Sequence, residues 1–367
     1  MKYSLIAVSL LMMLSVFTGC SLLGIEIPKT DTSSQTSTAS AESLPSSTES
    51  QSGTSTETET TSSETAETTA STATQTDPGE KTDLLIYYTD IDGYLIPVTV
   101  KVPKTYQVAA ASLEKMMKNN ENFLFAAEFE LFPIFPEGTE IKRLTVQDGV
   151  AVIDFNENIL NYSTKIEEYN IFSSIVYVLT GFSTVDSVQI KIGGVFPGEM
   201  KHGAIVDRQL ARKDVMINSN KFLTAPSMLK YDIYFIKPVG NTEYLLPLSA
   251  EFPQMPAAAF PEKMLEIMIH DYSEFDIYSL IPEETKVIGS SLDDNGIMEV
   301  ILSSELAGYG GGSARETGLL NQLLYTFSQI KGAERIKLTV EGSNDILPEG
   351  TEISEPFTVS KFINILD

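Results

Sequence analysis

Three adjacent glycines and a serine, Gly310-Gly311-Gly312-Ser313, stand directly before a helix-periodic stretch, and Glu316 follows three residues after the serine. Bare backbone amides at the start of a helix attract anions, so the loop invites reading as a phosphate cradle. It lacks the lysine of a Walker motif and the glycine spacing of a dinucleotide fingerprint. Ser313 and Glu316 also have the spacing of a capping box, in which each side chain satisfies an amide of the helix's first turn. The cap is the preferred reading, with Gly310, Gly311, Gly312, Ser313 and Glu316 kept as the candidate binding loop.

Other chemistries find less support. The two histidines, His202 and His270, have no His or Cys at ligand spacing, so no metal and no cofactor is expected. His270 reads as a partner of a helix C-terminus, and neither histidine suggests a nucleophilic triad. Asp293-Asp294-Asn295-Gly296 has the flavour of a calcium loop without its oxygen alternation or closing glutamate, and a hairpin turn accounts for it better. Adjacent acids such as Glu283-Glu284 or Glu167-Glu168 normally point apart, which leaves a wall-cleaving glycosidase the least favoured reading. No catalytic residue is assigned.

The N-terminus carries a chemistry of its own. Lys2, an apolar run from Leu5 to Phe17, and Thr18-Gly19-Cys20 form the charged start, greasy middle and small-residue exit of a secretory signal. Phe17 to Cys20 resembles the lipobox of bacterial lipoproteins, which implies diacylation of Cys20, the only cysteine, and cleavage before it. Residues 1–19 are thus expected to be removed. The mature chain is expected on the outer face of the cytoplasmic membrane, held by its diacylglycerol.

The formal charge is −25, from 50 Asp and Glu against 25 Lys and Arg. Affinity for nucleic acid comes largely from cationic contacts to phosphate, so nucleic acid is not an expected partner. From Thr30 to Lys81 the chain is almost entirely Ser, Thr, Glu, Ala and Gln. Such a segment cannot bury a core, so residues 20–81 are expected to be a disordered tether reaching on the order of 40 Å.

The elements beyond it occur twice. Tyr94-Leu95-Ile96-Pro97-Val98 recurs as Tyr244-Leu245-Leu246-Pro247-Leu248, and Phe135-Pro136-Glu137-Gly138-Thr139 as Ile281-Pro282-Glu283-Glu284-Thr285. Ile171, Phe172, Ile175, Val176 and Leu179 share one helix face. They recur 148 residues on as Leu319, Leu320, Leu323, Leu324 and Phe327, with Tyr177 mapping onto Tyr325 and Glu168 onto Glu316. Each copy reads strand, strand, helix, strand, strand, helix, strand. In the first these are Leu84–Tyr88, Leu95–Val102, Ala109–Asn119, Ile141–Val146, Val150–Phe155, Ile166–Thr180 and Ser187–Ile192. Asp148-Gly149 and Asn295-Gly296 predict two-residue hairpin turns that need positive φ. The expected fold is α+β: two tandem copies of a small mixed-sheet domain, helices on one face, at 82–215 and 231–367, with 216–230 as linker.

In their order, Tyr94-Leu95-Ile96-Pro97-Val98, Phe135-Pro136-Glu137-Gly138-Thr139, the strand Val150–Phe155 after Asp148-Gly149, and the helix ending Ile175–Thr180 resemble the GerMN domain of spore-germination lipoproteins. The likeness spans nearly all of residues 84–365. The first copy departs from it in carrying Leu160-Asn161-Tyr162-Ser163 where the second has its glycines. The resemblance implies a non-enzymatic envelope lipoprotein of sporulation or germination that binds peptidoglycan or an envelope protein. A solute-binding or sensing lipoprotein and a self-associating scaffold remain as alternatives.

Overall fold

The computed structural model describes residues 80–366; Cys20, the expected signal peptide and nearly all of the expected tether lie outside the described residues. The first copy opens with a hairpin of β1 (Lys81–Thr89) and β2 (Leu95–Pro103), antiparallel from Lys81↔Pro103 to Thr89↔Leu95. Helices α1 (Val108–Glu114) and α2 (Asn120–Ala127) follow. A second hairpin, β3 (Ile141–Gln147) and β4 (Val150–Phe155), leads through α3 (Lys165–Leu179) to β5 (Ser187–Ile192), which lies parallel to β4. The second copy repeats this with β6 (Leu229–Val239), β7 (Thr242–Phe252), α4 (Phe260–Met268), β8 (Val287–Leu292), β9 (Ile297–Leu302), α5 (Gly312–Phe327) and β10 (Arg335–Val340). A short last strand, β11 (Ile365–Leu366), ends the described chain.

The expected α+β architecture in two copies is therefore present, with differences of detail. The single helix expected over Ala109–Asn119 is two. The first stops at Glu114, and Asn119 begins the second by accepting a bond from the Asn122 amide, 2.9 Å. The polar run Lys118-Asn119-Asn120 hides this break, because asparagine serves equally in a loop and at an N-cap. Asp148 (φ 50°) and Gly149 (φ 78°) form the expected two-residue turn. In the second copy four residues, Asp293–Gly296, separate the strands, and only Gly296 (φ 73°) is left-handed. There Asp293 Oδ1 accepts from the Asn295 and Ile297 amides, so a side chain does what backbone twist does in the first copy.

Burial follows from who covers each sheet. In β4 and β9 alternate residues are buried, Ala151, Ile153 and Phe155 against Met298, Val300 and Leu302, as in a sheet with one covered face. In the hairpins β2, β6 and β7 are buried along most of their length, and β1 at Leu84 and from Ile86 to Tyr88, so both faces are covered there. One face meets the helix of the same copy, α3 on β1 and α5 on β6, and β2 packs on β7 of the other copy.

The ends of the copies cross over. Ile217 and Asn218, at the end of the first copy, bond to β7 of the second: the Ile217 amide donates to Ser249 Oγ (2.9 Å) and the Ser249 amide to the Ile217 carbonyl (3.1 Å). Ile363 and Asn364, at the end of the second, bond to β2 of the first. The Ile363 amide donates to Thr99 Oγ1 (3.0 Å), and β11 extends β2 as a parallel strand. Asn218 takes the Leu95 amide on Oδ1 and gives Nδ2 to the carbonyls of Leu95 and Pro247. Asn364 takes the Leu245 amide on Oδ1 and gives Nδ2 to the carbonyls of Leu245 and Pro97. Both asparagines are left-handed, φ 50° and 48°, a conformation this side chain tolerates better than most. Residues 215–219, part of which was expected as linker, are buried in this junction.

Candidate functional site

The glycine loop sits on the surface at the start of α5. Gly310, Gly311 and Ser313 are exposed, and Gly311 (φ 116°) and Gly312 (φ 79°) take backbone angles that a side chain resists. The capping box expected from Ser313 and Glu316 is not formed: Gly311 is the N-cap and no side chain caps the helix. The matching helix of the first copy has the box, one residue earlier in its own frame. Thr164 Oγ1 accepts from the Glu167 amide, and Glu167 returns a bond to the Thr164 amide, 2.9 Å. The extra glycine shifts the start of α5 and takes the place of the side-chain cap.

Glu316 has a different duty. It is fully buried, and its carboxylate accepts from the amides of Glu349 (2.8 Å) and Thr351 (3.0 Å) and from the Tyr309 hydroxyl. Burial alone would raise its pKa, but these donors outweigh it and hold the group below the usual carboxylate range. Glu168, its counterpart, is equally buried and accepts from the amides of His202 (2.7 Å) and Ala204 (2.8 Å) and from Tyr162. In each copy one glutamate therefore ties the long loop after the last sheet strand onto the helix. Both acids are consumed in this, which removes Glu168 and Glu316 from the list of free carboxylates.

The remaining sequence-marked groups stay apart. His270 is exposed just past α4 with its ring 5.0 Å from Tyr272, and His202 lies in the loop held by Glu168. Among the described residues no group of His, Cys, Asp and Glu is arranged to hold a metal ion.

The densest polar constellation is one the sequence did not mark. At the junction of the copies Lys230 Nζ lies 3.1 Å from both oxygens of Asp232, with Tyr177 and Ser249 hydroxyls donating to the same carboxylate at 2.9 and 2.7 Å. Arg212 lies 4.4 Å from the centre of the Tyr177 ring and bonds to the Tyr87 hydroxyl. Burial lowers the Lys230 pKa and raises those of Tyr177 and Tyr87; it also acts to raise Asp232, but Lys230 and Arg212 prevail and hold that carboxyl low. A second knot lies at the hairpin turns. Lys237, 1% exposed, reaches Asp92 and Asp276 at 3.1 Å and Asp90 at 3.7 Å. Both knots join residues of one copy to residues of the other. Lys230 and Asp232 lie two apart on β6 and read from sequence as strand-face polar residues. Only the second hairpin's placement shows that this face is buried.

The repeat visible in the sequence has a counterpart among known proteins. The profile of the Germane family, described as "Sporulation and spore germination", matches residues 85–196 and 232–345. Over 294 residues the chain is 22% identical to the spore germination protein GerM of Bacillus subtilis (strain 168), covering 76% of this chain and 77% of that protein. Its fold is similar to the solved tandem GerMN domains of the sporulation protein GerM from Bacillus subtilis, with a TM-score of 0.66 at 20% identity, covering 77% of this chain and 99% of the other.

Proposed function

The chain belongs to the Germane family of sporulation and spore-germination proteins, and from that premise we propose that it is a non-enzymatic envelope lipoprotein whose two copies act as one binding body for peptidoglycan. The observation that carries this reading is the use made of its ionisable groups. Glu168 and Glu316 fasten loops, Lys230 with Asp232 and Lys237 with its aspartates fasten one copy to the other, and each is bonded in a structural role. Such groups hold loops and copies in fixed places. Diacylated Cys20 would fix the chain to the outer face of the membrane, and the acidic segment after it would set the reach of the body toward the wall.

The test is retention on purified peptidoglycan. The mature chain, kept soluble in detergent, is expected to sediment with insoluble wall material and to release no soluble fragments from it. Release of wall fragments that depends on one particular carboxylate would overturn the non-enzymatic reading. A folded chain that stays in the supernatant would turn the search to an envelope protein as partner.

A further inference from the structure

A cavity of about 810 Å³ opens where the first copy hands over to the second. That volume lies in the range of small-ligand sites. Its polar wall carries four cations, Arg212, Lys213, Lys230 and Lys331, against the single lining carboxylate Asp214. Counting Asp232 behind Lys230, the wall stays positive by two charges in a chain whose formal charge is −25. Lys213 and Lys331 are exposed, and neither forms an ion pair among the described residues. Arg212 and Lys230 are held in place by Tyr87, Tyr177 and Asp232.

The floor is apolar and rigid. Tyr231, Phe252 and Phe260 meet edge to face with ring centres 4.9 to 5.9 Å apart, and two of the three, Tyr231 and Phe260, line the cavity beside Met255 and Ile330. The Tyr231 hydroxyl accepts from the Lys331 amide, which fixes the loop carrying that lysine.

The internal repeat does not reproduce all of these cations. By strand register Asp83 takes the place of Lys230 in the first hairpin, and at the helix offset of 148 residues Ser183 takes that of Lys331. The exposed Lys331 is therefore not a requirement of the repeated architecture, whose first copy has a serine there.

We infer that the cavity between 212–214, 228–231 and 329–331 binds a short acidic peptide, its carboxylates against Lys213 and Lys331 and its methyl groups on the Tyr231–Phe260 floor. The inference rests on the wall-binding reading above and narrows it, from peptidoglycan at large to its stem peptide, which alternates alanines with acidic residues. Lysine suits this ligand: its ammonium is a point charge that accepts carboxylates in several geometries, whereas guanidinium forks impose one. Asp214, held by the Ala211 amide at 3.0 Å, is placed for an amine on the same peptide.

The experiment titrates the mature chain in detergent with the soluble stem peptide Ala-γGlu-diaminopimelate-Ala by calorimetry, and in parallel sediments it with intact wall. The double reversal Lys213→Glu/Lys331→Glu is expected to weaken peptide binding at least about tenfold and to abolish wall retention, while Lys142→Glu, on a strand remote in sequence from the cavity, leaves both unchanged. Ala257→Trp, which fills the cavity without changing charge, is expected to act as the reversal does. Peptide binding that survives both variants, or no saturable peptide binding by the folded parent, would overturn the inference. Wall retention that survives the reversal would leave the wall reading standing and remove the cavity as its site. Charge-dependent peptide binding without wall retention would do the opposite. Vesicles of phosphatidylglycerol form a third arm, and reversal-sensitive binding to them without peptide binding would assign the cavity to a lipid headgroup and defeat the inference.

Discussion

At the scale of single residues, Asp90 is the least comfortable group in the molecule. It is 4% exposed; one oxygen accepts from the Tyr94 amide at 2.8 Å, and the other has no hydrogen-bond partner, with Lys237 at 3.7 Å. Burial raises its pKa to about 6, against the pull of Tyr94 and Lys237. A carboxyl whose folded pKa exceeds its unfolded value adds stability that is fully present below the unfolded value and is lost as pH rises through the folded one. Asp90→Asn is therefore expected to gain on the parent by up to about 3 kcal/mol between pH 4 and pH 8. Urea unfolding at several pH values reads this, and a pH-independent gap would refute it. Thr139 and Thr285, equivalent in the two copies, both bury a hydroxyl oxygen without a partner beside a turn closed by their own amides. Replacing either with valine keeps the shape and removes an unsatisfied group. Each variant should unfold about 1 kcal/mol later than the parent, and equal or lower stability would show that the hydroxyl is used.

At the scale of elements, α3 and α5 start differently although they occupy the same place in their copies. Thr164→Ala removes a reciprocal cap and is expected to cost about 1 kcal/mol, whereas Ser313→Ala should change stability by less than about 0.5 kcal/mol. Comparable losses at the two sites would mean that Ser313 caps α5 after all. Gly311 and Gly312 carry that start through their backbone angles, so Gly311→Ala is the change that should hurt there. The glycine run thus reports a local backbone need and an inserted residue, and the notable carboxylate next to it, Glu316, points inward to the loop at 349–351.

At the scale of the whole molecule, the two copies form one core. Asn218 and Asn364 each bond to both central hairpins, so each copy's stability depends on the other's last residues. Asn218→Ala strands three buried backbone groups and is expected to cost about 3 kcal/mol or more. Calorimetry of the parent should show a single heat-absorption peak, and Asn364→Ala should lower it as a whole. Two separated peaks in the parent would contradict a shared core.

The sequence by itself determined the number of copies, most of the order of their elements and the apolar faces of the long helices and of β4 and β9, because these follow from periods of 2 and 3.6 residues repeated about 148 positions apart. It also displayed, without explaining them, Glu168 with Glu316 and the Ile-Asn pairs at 217–218 and 363–364. Only the tertiary structure decided what these do. A glutamate in a first turn looks like a cap until the loop it holds, some 35 residues away, is brought against it. Lys230 and Asp232 look like solvated strand residues until α3 of the other copy covers them. Partners far apart in the chain leave no local signature, since the energy that selects them is that of burying a polar group unpaired, and burial is a property of the assembled molecule.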